Sequence, residues 1–516
     1  MIIQVTKTAS QARPARTEIL PTPPRQYIWA KADTVSTAVI ALLALITRFV
    51  GLTSTTAENT PIFDEKHYVP QAWDIVQGGI ESNPGFGLVV HPPLAKQLIA
   101  IGEAFFGYTP LGWRLMTAIF GVVMVLAIMA LTRRVSGSWQ IATFAGFIAV
   151  FDGVLLVSSR FGMLDIFQAV FVVGAAWMLV RDHQQVHSLF DASWRHQRLG
   201  SSPFGPRIGF RWWRFAAGIT LGLSLAVKWS GLYYIAFFGL ASVFADLWLR
   251  RRYRVRRYVT GTLLRDTPAA LASLVLVPVL IYLWTWRSWF MSETAVYRHA
   301  KVDGTIASDS PLMALPEPIA GFFYYHASVL KFHASLTTSN GHDHPWDSKP
   351  WTWLVAGRPI LYSSATDLQC LGGQSCRQMI YLFGTPIIWW AIIPVLLWSL
   401  WRVFLRRDFR YVVPLIGFSA GFLPWVATYD RQMYFFYAVP LIPFVIVALA
   451  LTLGLWTHRG NPVRNLVPPG TTWGDVAVYG YLAGVLAMFI YFSPILYGYT
   501  IPDSYYNSIM WLPSWT

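Results

Sequence analysis

The sequence predicts an all-α polytopic membrane protein of about eleven transmembrane helices. Three observations carry that reading. Charged residues make up 13% of the 516-residue chain, well below the roughly 25% of a soluble domain, while hydrophobic residues reach 55%. Several apolar runs match the ~20 helical residues that a hydrocarbon core requires. Lys and Arg give a formal net charge of +15, but they sit between the apolar runs. That is the positive-inside pattern of a membrane protein, and it argues against a nucleic-acid partner.

Residues 1–33 hold Pro14, Pro21, Pro23 and Pro24 among Lys and Arg, with no apolar core. They read as a basic cytoplasmic arm and not as a cleaved signal peptide. Residues 34–516 then form one transmembrane domain that starts with an uncleaved anchor at 34–52. Further spans are expected near 111–132, 138–157, 164–180, 215–230, 232–249, 268–286, 379–401, 411–428, 433–456 and 476–496. Residues 215–249 are too long for one span and have basic clusters at both ends, so they are predicted to turn at Lys228–Gly231. Most of the 40 Lys and Arg fall on the side of the N-terminus, most densely at Arg250–Arg257. This predicts an N-in, C-out topology, and such clusters also attract anionic lipid headgroups. Two long external segments remain, 53–110 and 287–378, with amphipathic surface helices expected around Asp74–Val76 and over Leu94–Phe106.

Those segments hold the reactive side chains. Phe63-Asp64-Glu65 offers adjacent carboxylates, and partial desolvation with like charge makes one of them a general base. They cannot both face one site from a regular helix, so one should be catalytic and the other positioning. The bland alternative is a solvated acidic patch beside Lys66. His91-Pro92-Pro93-Leu94-Ala95-Lys96 marks a helix start suited to an anion, with Lys96 on the first turn or snorkelling to the interface. Arg48, Arg114, Arg160 and Arg431 stand at span ends, where arginine needs a partner or a function. Arg160 is expected to pair with Asp165. Arg114 and Arg431 lack an acidic neighbour in sequence except Asp430, and a phosphate would satisfy them. The second loop offers His342 and His344, then Trp346, Lys349, Trp351 and Trp353. The His pair is weak support for a divalent metal, and no other cofactor is called for. The tryptophans suit either interfacial anchoring or a sugar platform. Cys370 and Cys376, the only cysteines, are expected to form a disulfide across Gly372 and Gly373 on an oxidising side.

In this order the motifs resemble the protein O-mannosyltransferases, especially their actinobacterial branch. The matching pieces are Phe63-Asp64-Glu65, His91 to Lys96, Arg114, Arg160 to Asp165, Lys228-Trp229-Ser230-Gly231-Leu232, His344-Pro345-Trp346 with Ser348 to Trp351, and Arg431 to Pro440. The resemblance implies a GT-C type fold at the plasma membrane. It also implies inverting transfer of mannose from polyprenyl phosphate mannose to Ser or Thr of secreted proteins, at the outer face, with the secretion machinery as a further candidate partner. It makes Asp64 the base, Glu65 its assistant, and Arg114, Lys96, Arg431 and Arg48 ligands of the donor phosphate. His91, His344, Trp346, Lys349 and Trp351 form the substrate loops. The β-trefoil module of eukaryotic relatives has no room in 287–378. Two alternatives compete: another GT-C enzyme acting on an envelope lipid or polysaccharide, and a secondary transporter. The second is disfavoured because the ionisable residues gather at the outer surface and not at the midplane.

Overall fold

A computed structural model describes residues 28–54, 60–81, 90–342, 344–370, 372–463 and 470–516. Most of the expected basic arm, residues 1–27, lies outside them. Eight helices in the described residues are long and apolar enough to cross a membrane, and three more are apolar but shorter, Trp139–Val150, Trp212–Val227 and Ile442–Trp456. Each of the eleven expected spans has its helix in this set.

The order begins with α1 (Lys31–Phe49), then α2 (Glu65–Gly78) and α3 (Leu94–Phe106), the two helices of the first long segment. Next come α4 (Pro110–Ser136), α5 (Trp139–Val150), the short α6 (Gly153–Ser158), α7 (Asp165–Arg195), α8 (Trp212–Val227) and α9 (Gly231–Arg252). Local chemistry sets these ends. Thr109 caps α4 by accepting from the Gly112 amide at 3.2 Å, Pro110 opens its first turn, and Gly137 ends it at φ 74°. Lys228 to Ser230 form the turn between α8 and α9, as the hairpin reading predicts.

Several boundaries differ from expectation: the helix of the span expected at 433–456 begins only at Ile442, and that of 268–286 already at Tyr258. The span expected at 138–157 breaks after α5, because Asp152 turns to cap α6 through Leu155 N at 2.9 Å. Thr385 closes the break, donating to Phe151 O at 2.9 Å and accepting from Gly153 N at 3.0 Å. A broken backbone inside a bundle survives when its polar groups find such partners. Helix α7 runs well past residue 180, to Arg195. The span expected from 379 begins only at Pro386, since the residues before it form a strand.

That strand belongs to a small sheet that the sequence reading did not anticipate within the helical fold it predicts. β1 (Ile360–Gln369), β2 (Ser375–Leu382) and β3 (Thr500–Pro502) form a small antiparallel sheet in the order β1-β2-β3. Its hairpin turns at Gly372 and Gly373, both at positive φ, and Cys370 is bridged to Cys376 with Cα atoms 5.9 Å apart.

The core surrounds Ile442–Trp456, whose residues from Ile442 to Leu451 are all buried. It packs on α4, α5 and α7 as well as on the later spans, which explains why so short a helix is apolar all round. Helices α2 and α3 pack on each other, and α3 packs on α4, where a Cβ on Gly102 would stand 2.2 Å from Gly112 O. About 25 Å along α7 from Asp165, a buried ionic network joins Arg211 to Asp182 and to Asp246 (2.5 Å), and Arg250 to Asp266 (2.6 Å). Part of the basic set that the sequence assigns to topology is therefore paired inside the fold.

Candidate active site

Asp64 stands at the N-terminus of α2, directly after Phe63, which holds φ 51°. A bulky residue in the left-handed region is strained, and strain of this kind gathers at functional sites. The turn sends the two neighbouring carboxylates in different directions. Glu65 is fully buried and takes both Nε and Nη2 of Arg114 at 2.8 Å, with Gly162 N at 2.7 Å and Ile62 N at 3.1 Å. Asp64 is partly buried and faces Lys228, Asp165 and the hydroxyl of Tyr68, which hydrogen-bonds to it. Burial pushes the Asp64 carboxyl up to about 6, against the opposing pull of Lys228 and His67.

Around Asp64 the fold assembles cations from distant segments. Lys228, in the α8–α9 turn, pairs with Asp165 at the start of α7 at 2.8 Å. Arg431 donates to His333 Nδ1 at 3.0 Å and has no carboxylate partner among the described residues. Its neighbour Asp430 is taken by Ser339, whose hydroxyl lies 2.6 Å away. Lys228 and Arg431 each lie 5.9 Å from the centroid of Tyr437, so one ring carries both cations. His91 bridges this cluster to Asp64, with its ring 6.0 Å from Tyr68 and 6.0 Å from His333. Burial and the nearby cations hold His91 well below the usual imidazole range, and the same causes push His333 down to about 4. Both are therefore neutral at physiological pH. Tyr362 of β1 stacks on Phe63 with ring centroids 4.4 Å apart.

Several expectations need revision. Arg114 does have an acidic partner, Glu65, and is fully buried beneath the Phe161 ring at 4.6 Å. Arg160 does not pair with Asp165. Its guanidinium instead takes the carbonyls that end α1, at Arg48, Val50 and Gly51. Arg48 binds the last carbonyls of α5, Ala149 at 3.0 Å and Val150 at 2.8 Å. Lys96 pairs with Glu81 and donates to His91 O at 3.2 Å. Burial enforces all four arrangements, since a desolvated cation needs a fixed partner. Of the expected phosphate ligands, only Arg431 reaches the cluster without a carboxylate of its own.

The second loop braces the same region. Lys349 pairs with Asp347 at 2.9 Å and donates to Arg431 O at 3.1 Å, while Asp347 accepts Met433 N at 2.8 Å. Trp346 lies under Arg358 at 4.7 Å, and Trp351 is exposed near Tyr429. His344 packs on Tyr434 with centroids 5.2 Å apart and accepts Trp346 N through Nδ1 at 3.1 Å. Among the described residues no three His, Cys, Asp or Glu side chains converge on a metal position, and Asp343 lies outside those residues. Sequence reasoning did not single out Tyr68, His333, Tyr362 or Tyr437 as site residues. Tyr68 stands one helical turn from Asp64 and Tyr437 lies within Arg431 to Pro440, whereas only the fold brings His333 and Tyr362 to the site.

The arrangement suits removal of a proton beside a site for a phosphate. A carboxylate of raised basicity faces Lys228, which shares one aromatic ring with Arg431, and neutral imidazoles lie nearby.

Comparison with known proteins agrees with that chemistry. A family model described as dolichyl-phosphate-mannose-protein mannosyltransferase matches residues 109–291, and one described as the C-terminal four TMM region of protein-O-mannosyltransferase matches 318–515. The polyprenol-phosphate-mannose–protein mannosyltransferase of Corynebacterium glutamicum is 60% identical over 522 residues, covering 98% of this chain and 100% of that one. Its namesake from Mycobacterium tuberculosis is 45% identical, covering 93% of this chain and 91% of the relative. Among solved structures, the Saccharomyces cerevisiae Pmt1-Pmt2 complex bound to the sugar donor aligns with a TM-score of 0.71 at 15% identity, covering 95% and 93% of the two chains. ArnT from Cupriavidus metallidurans, bound to undecaprenyl phosphate, aligns at 0.50 with 18% identity, covering 91% and 77%. At these identities the structures establish the fold, which is the GT-C membrane glycosyltransferase fold.

Proposed function

We propose a mechanism from one premise: the chain belongs to the protein O-mannosyltransferase family. It transfers mannose from a polyprenol phosphate carrier to a hydroxyl of a protein. In our reading Asp64 accepts the proton of a Ser or Thr hydroxyl as the oxygen attacks the anomeric carbon, opposite the departing phosphate, with inversion. The C–O bond to the acceptor forms as the bond to the phosphate breaks, and the negative charge grows on the phosphate oxygens. Lys228 and Arg431 receive that charge, and Tyr68 and His91 supply neutral hydrogen-bonding groups between the two ends. Glu65 and Arg114 fix the turn that aims Asp64, and Lys96 holds the His91 carbonyl. The observation that carries the reading is that Asp64 faces Lys228, which shares the Tyr437 ring with Arg431.

We further infer that the chain resides in the plasma membrane with the site outside, acting on secreted polypeptides that the secretion machinery delivers unfolded. The Cys370–Cys376 bridge and the distribution of basic residues support that side. The test uses the purified full chain, labelled polyprenol phosphate mannose and a Ser/Thr-rich peptide, read by peptide mass. One hexose per modified hydroxyl is expected, and Asp64→Asn should reduce transfer by about 100-fold or more. Label that reaches only lipid or polysaccharide, or an Asp64→Asn protein that turns over normally, overturns the reading.

A further inference from the structure

The sheet presents an edge that the fold leaves open. β2 lies between β3 and β1, so one side of β1 is unpaired by any strand. Among the described residues, the backbone of Ile360–Gln369 hydrogen-bonds to β2 alone. Ile360 and Tyr362 are buried, and from Ser363 onward the strand is half-buried or exposed; an exposed edge normally carries Lys or Pro as a guard against pairing. Neither residue occurs in Ile360–Gln369. The far end has a different guard, a register irregularity between Ala365 and Leu368 with Asp367 at φ 61°. Between this irregularity and a second one at Leu361/Ser363, the stretch Ser363, Ser364 and Ala365 is regular, paired to successive residues of β2.

That stretch leads to the reacting carboxylate. The register steps from Leu361 to Ser363 while β2 advances one residue, so Tyr362 is the extra residue of a bulge. The bulge turns its buried ring onto Phe63, the residue before Asp64. Bulges beside active sites re-aim a side chain in this way. An extended chain on the open edge would run over Ser363 and Ala365 and arrive at the bulge, one residue from the proposed base.

We propose that the acceptor polypeptide docks as an added strand on the open edge of β1, which carries its Ser or Thr hydroxyl to Asp64. This deepens the proposed function and rests on it. Strand addition grips main chain and not side chains, so it admits acceptors of varied sequence. The occupant is the acceptor because the edge is continuous with the site, and because an unfolded Ser/Thr-bearing segment has main-chain groups to offer.

The test is a backbone N-methyl scan of a short peptide with one threonine, using the full chain in detergent and the lipid donor. N-methylation at alternate residues on one side of the threonine should raise the acceptor KM by about tenfold, the scale of one lost hydrogen bond. The intervening positions and kcat should stay unchanged. Mannosylation without this alternation overturns the docking site while leaving the proposed function intact. No mannose on the unmodified peptide removes the proposed function, and the docking site with it. A dimer in detergent that Ser364→Pro dissolves would assign the edge to a second copy and overturn the proposal.

Discussion

A carboxylate that removes a proton from a hydroxyl must be less acidic than an exposed aspartate, and the surroundings of Asp64 achieve this. Burial raises its pKa to about 6, so the basic form dominates only above that pH. The acceptor kcat/KM should therefore rise about tenfold per pH unit below pH ~6 and level off above it. A profile flat from pH 5 to 8 would exclude Asp64 as the base. The same shift bears on stability. The folded pKa lies above the unfolded value of about 3.9, so the fold disfavours the ionised form; the penalty is absent below pH ~4, grows to pH ~6 and is complete above it, at about 3 kcal/mol. Asp64→Asn should thus raise the thermal midpoint near neutral pH and leave it unchanged near pH ~4, as scanning fluorimetry can check. Arg114 and Arg431 should separate by phenotype. Arg114→Ala strands Glu65 in a dry site, a loss of roughly 3–5 kcal/mol, so its midpoint should fall steeply. Arg431→Ala should keep its midpoint and lose affinity for polyprenol phosphate. An Arg114→Ala protein with normal midpoint and lost donor binding would return the phosphate role to Arg114. The diverging directions of Asp64 and Glu65 were legible in their adjacency, since neighbours on a helix cannot share a direction. The Arg114–Glu65 pair was not, because 49 residues of chain separate the partners and no periodicity links them.

At the scale of elements, apolar runs announced the helices faithfully, because a span must be apolar over its whole length whatever packs beside it. The breaks were harder to read. Asp152 ends α5 because Thr385, far along the chain, takes over the freed backbone groups, and sequence spacing carries no trace of that contact. The strands escaped for a different reason. Met379 to Leu382 is apolar enough to extend the following span, and only its pairing with Ile360 to Ser364 makes it a strand. The cysteines that close the hairpin were legible as a pair, being the chain's only two, with two glycines free to turn between them. Iodoacetamide should add no mass to the unreduced, denatured protein and two adducts after reduction. Two adducts before reduction would break the bridge assignment. The loop it closes is short, so the expected stabilisation is about 2 kcal/mol, enough to order the hairpin tip without deciding whether the bundle folds.

For the whole molecule, the separation of the site from the buried ionic network along α7 sets the orientation argument. Asp165 opens α7 beside Lys228, and Asp182 lies five turns further on with Arg211. The whole of α7, Asp165–Arg195, is long and apolar enough to cross a hydrocarbon layer. The basic residues near the network fall on the N-terminal side of the expected topology, and the proposed mechanism has the lipid-phosphate donor meet Lys228 and Arg431 on the opposite side. The ion pairs weaken the simple count, since Arg211 and Arg250 are neutralised by buried partners and attract no lipid headgroup. Exposed arginines such as Arg256 and Arg257 still carry the asymmetry. The orientation is testable with single cysteines in a background where Cys370 and Cys376 are serine. A membrane-impermeant maleimide applied to intact spheroplasts should label Thr305→Cys, in the second long segment, and should label Arg254→Cys only after permeabilisation. The reverse pattern would place Asp64 on the cytoplasmic side, where a secreted acceptor could be met only before export, and the proposed extracytoplasmic reaction would fall. Equal labelling of both would show that the helices counted as spans do not all cross, because residues 254 and 305 are separated by the single helix Tyr258–Thr285.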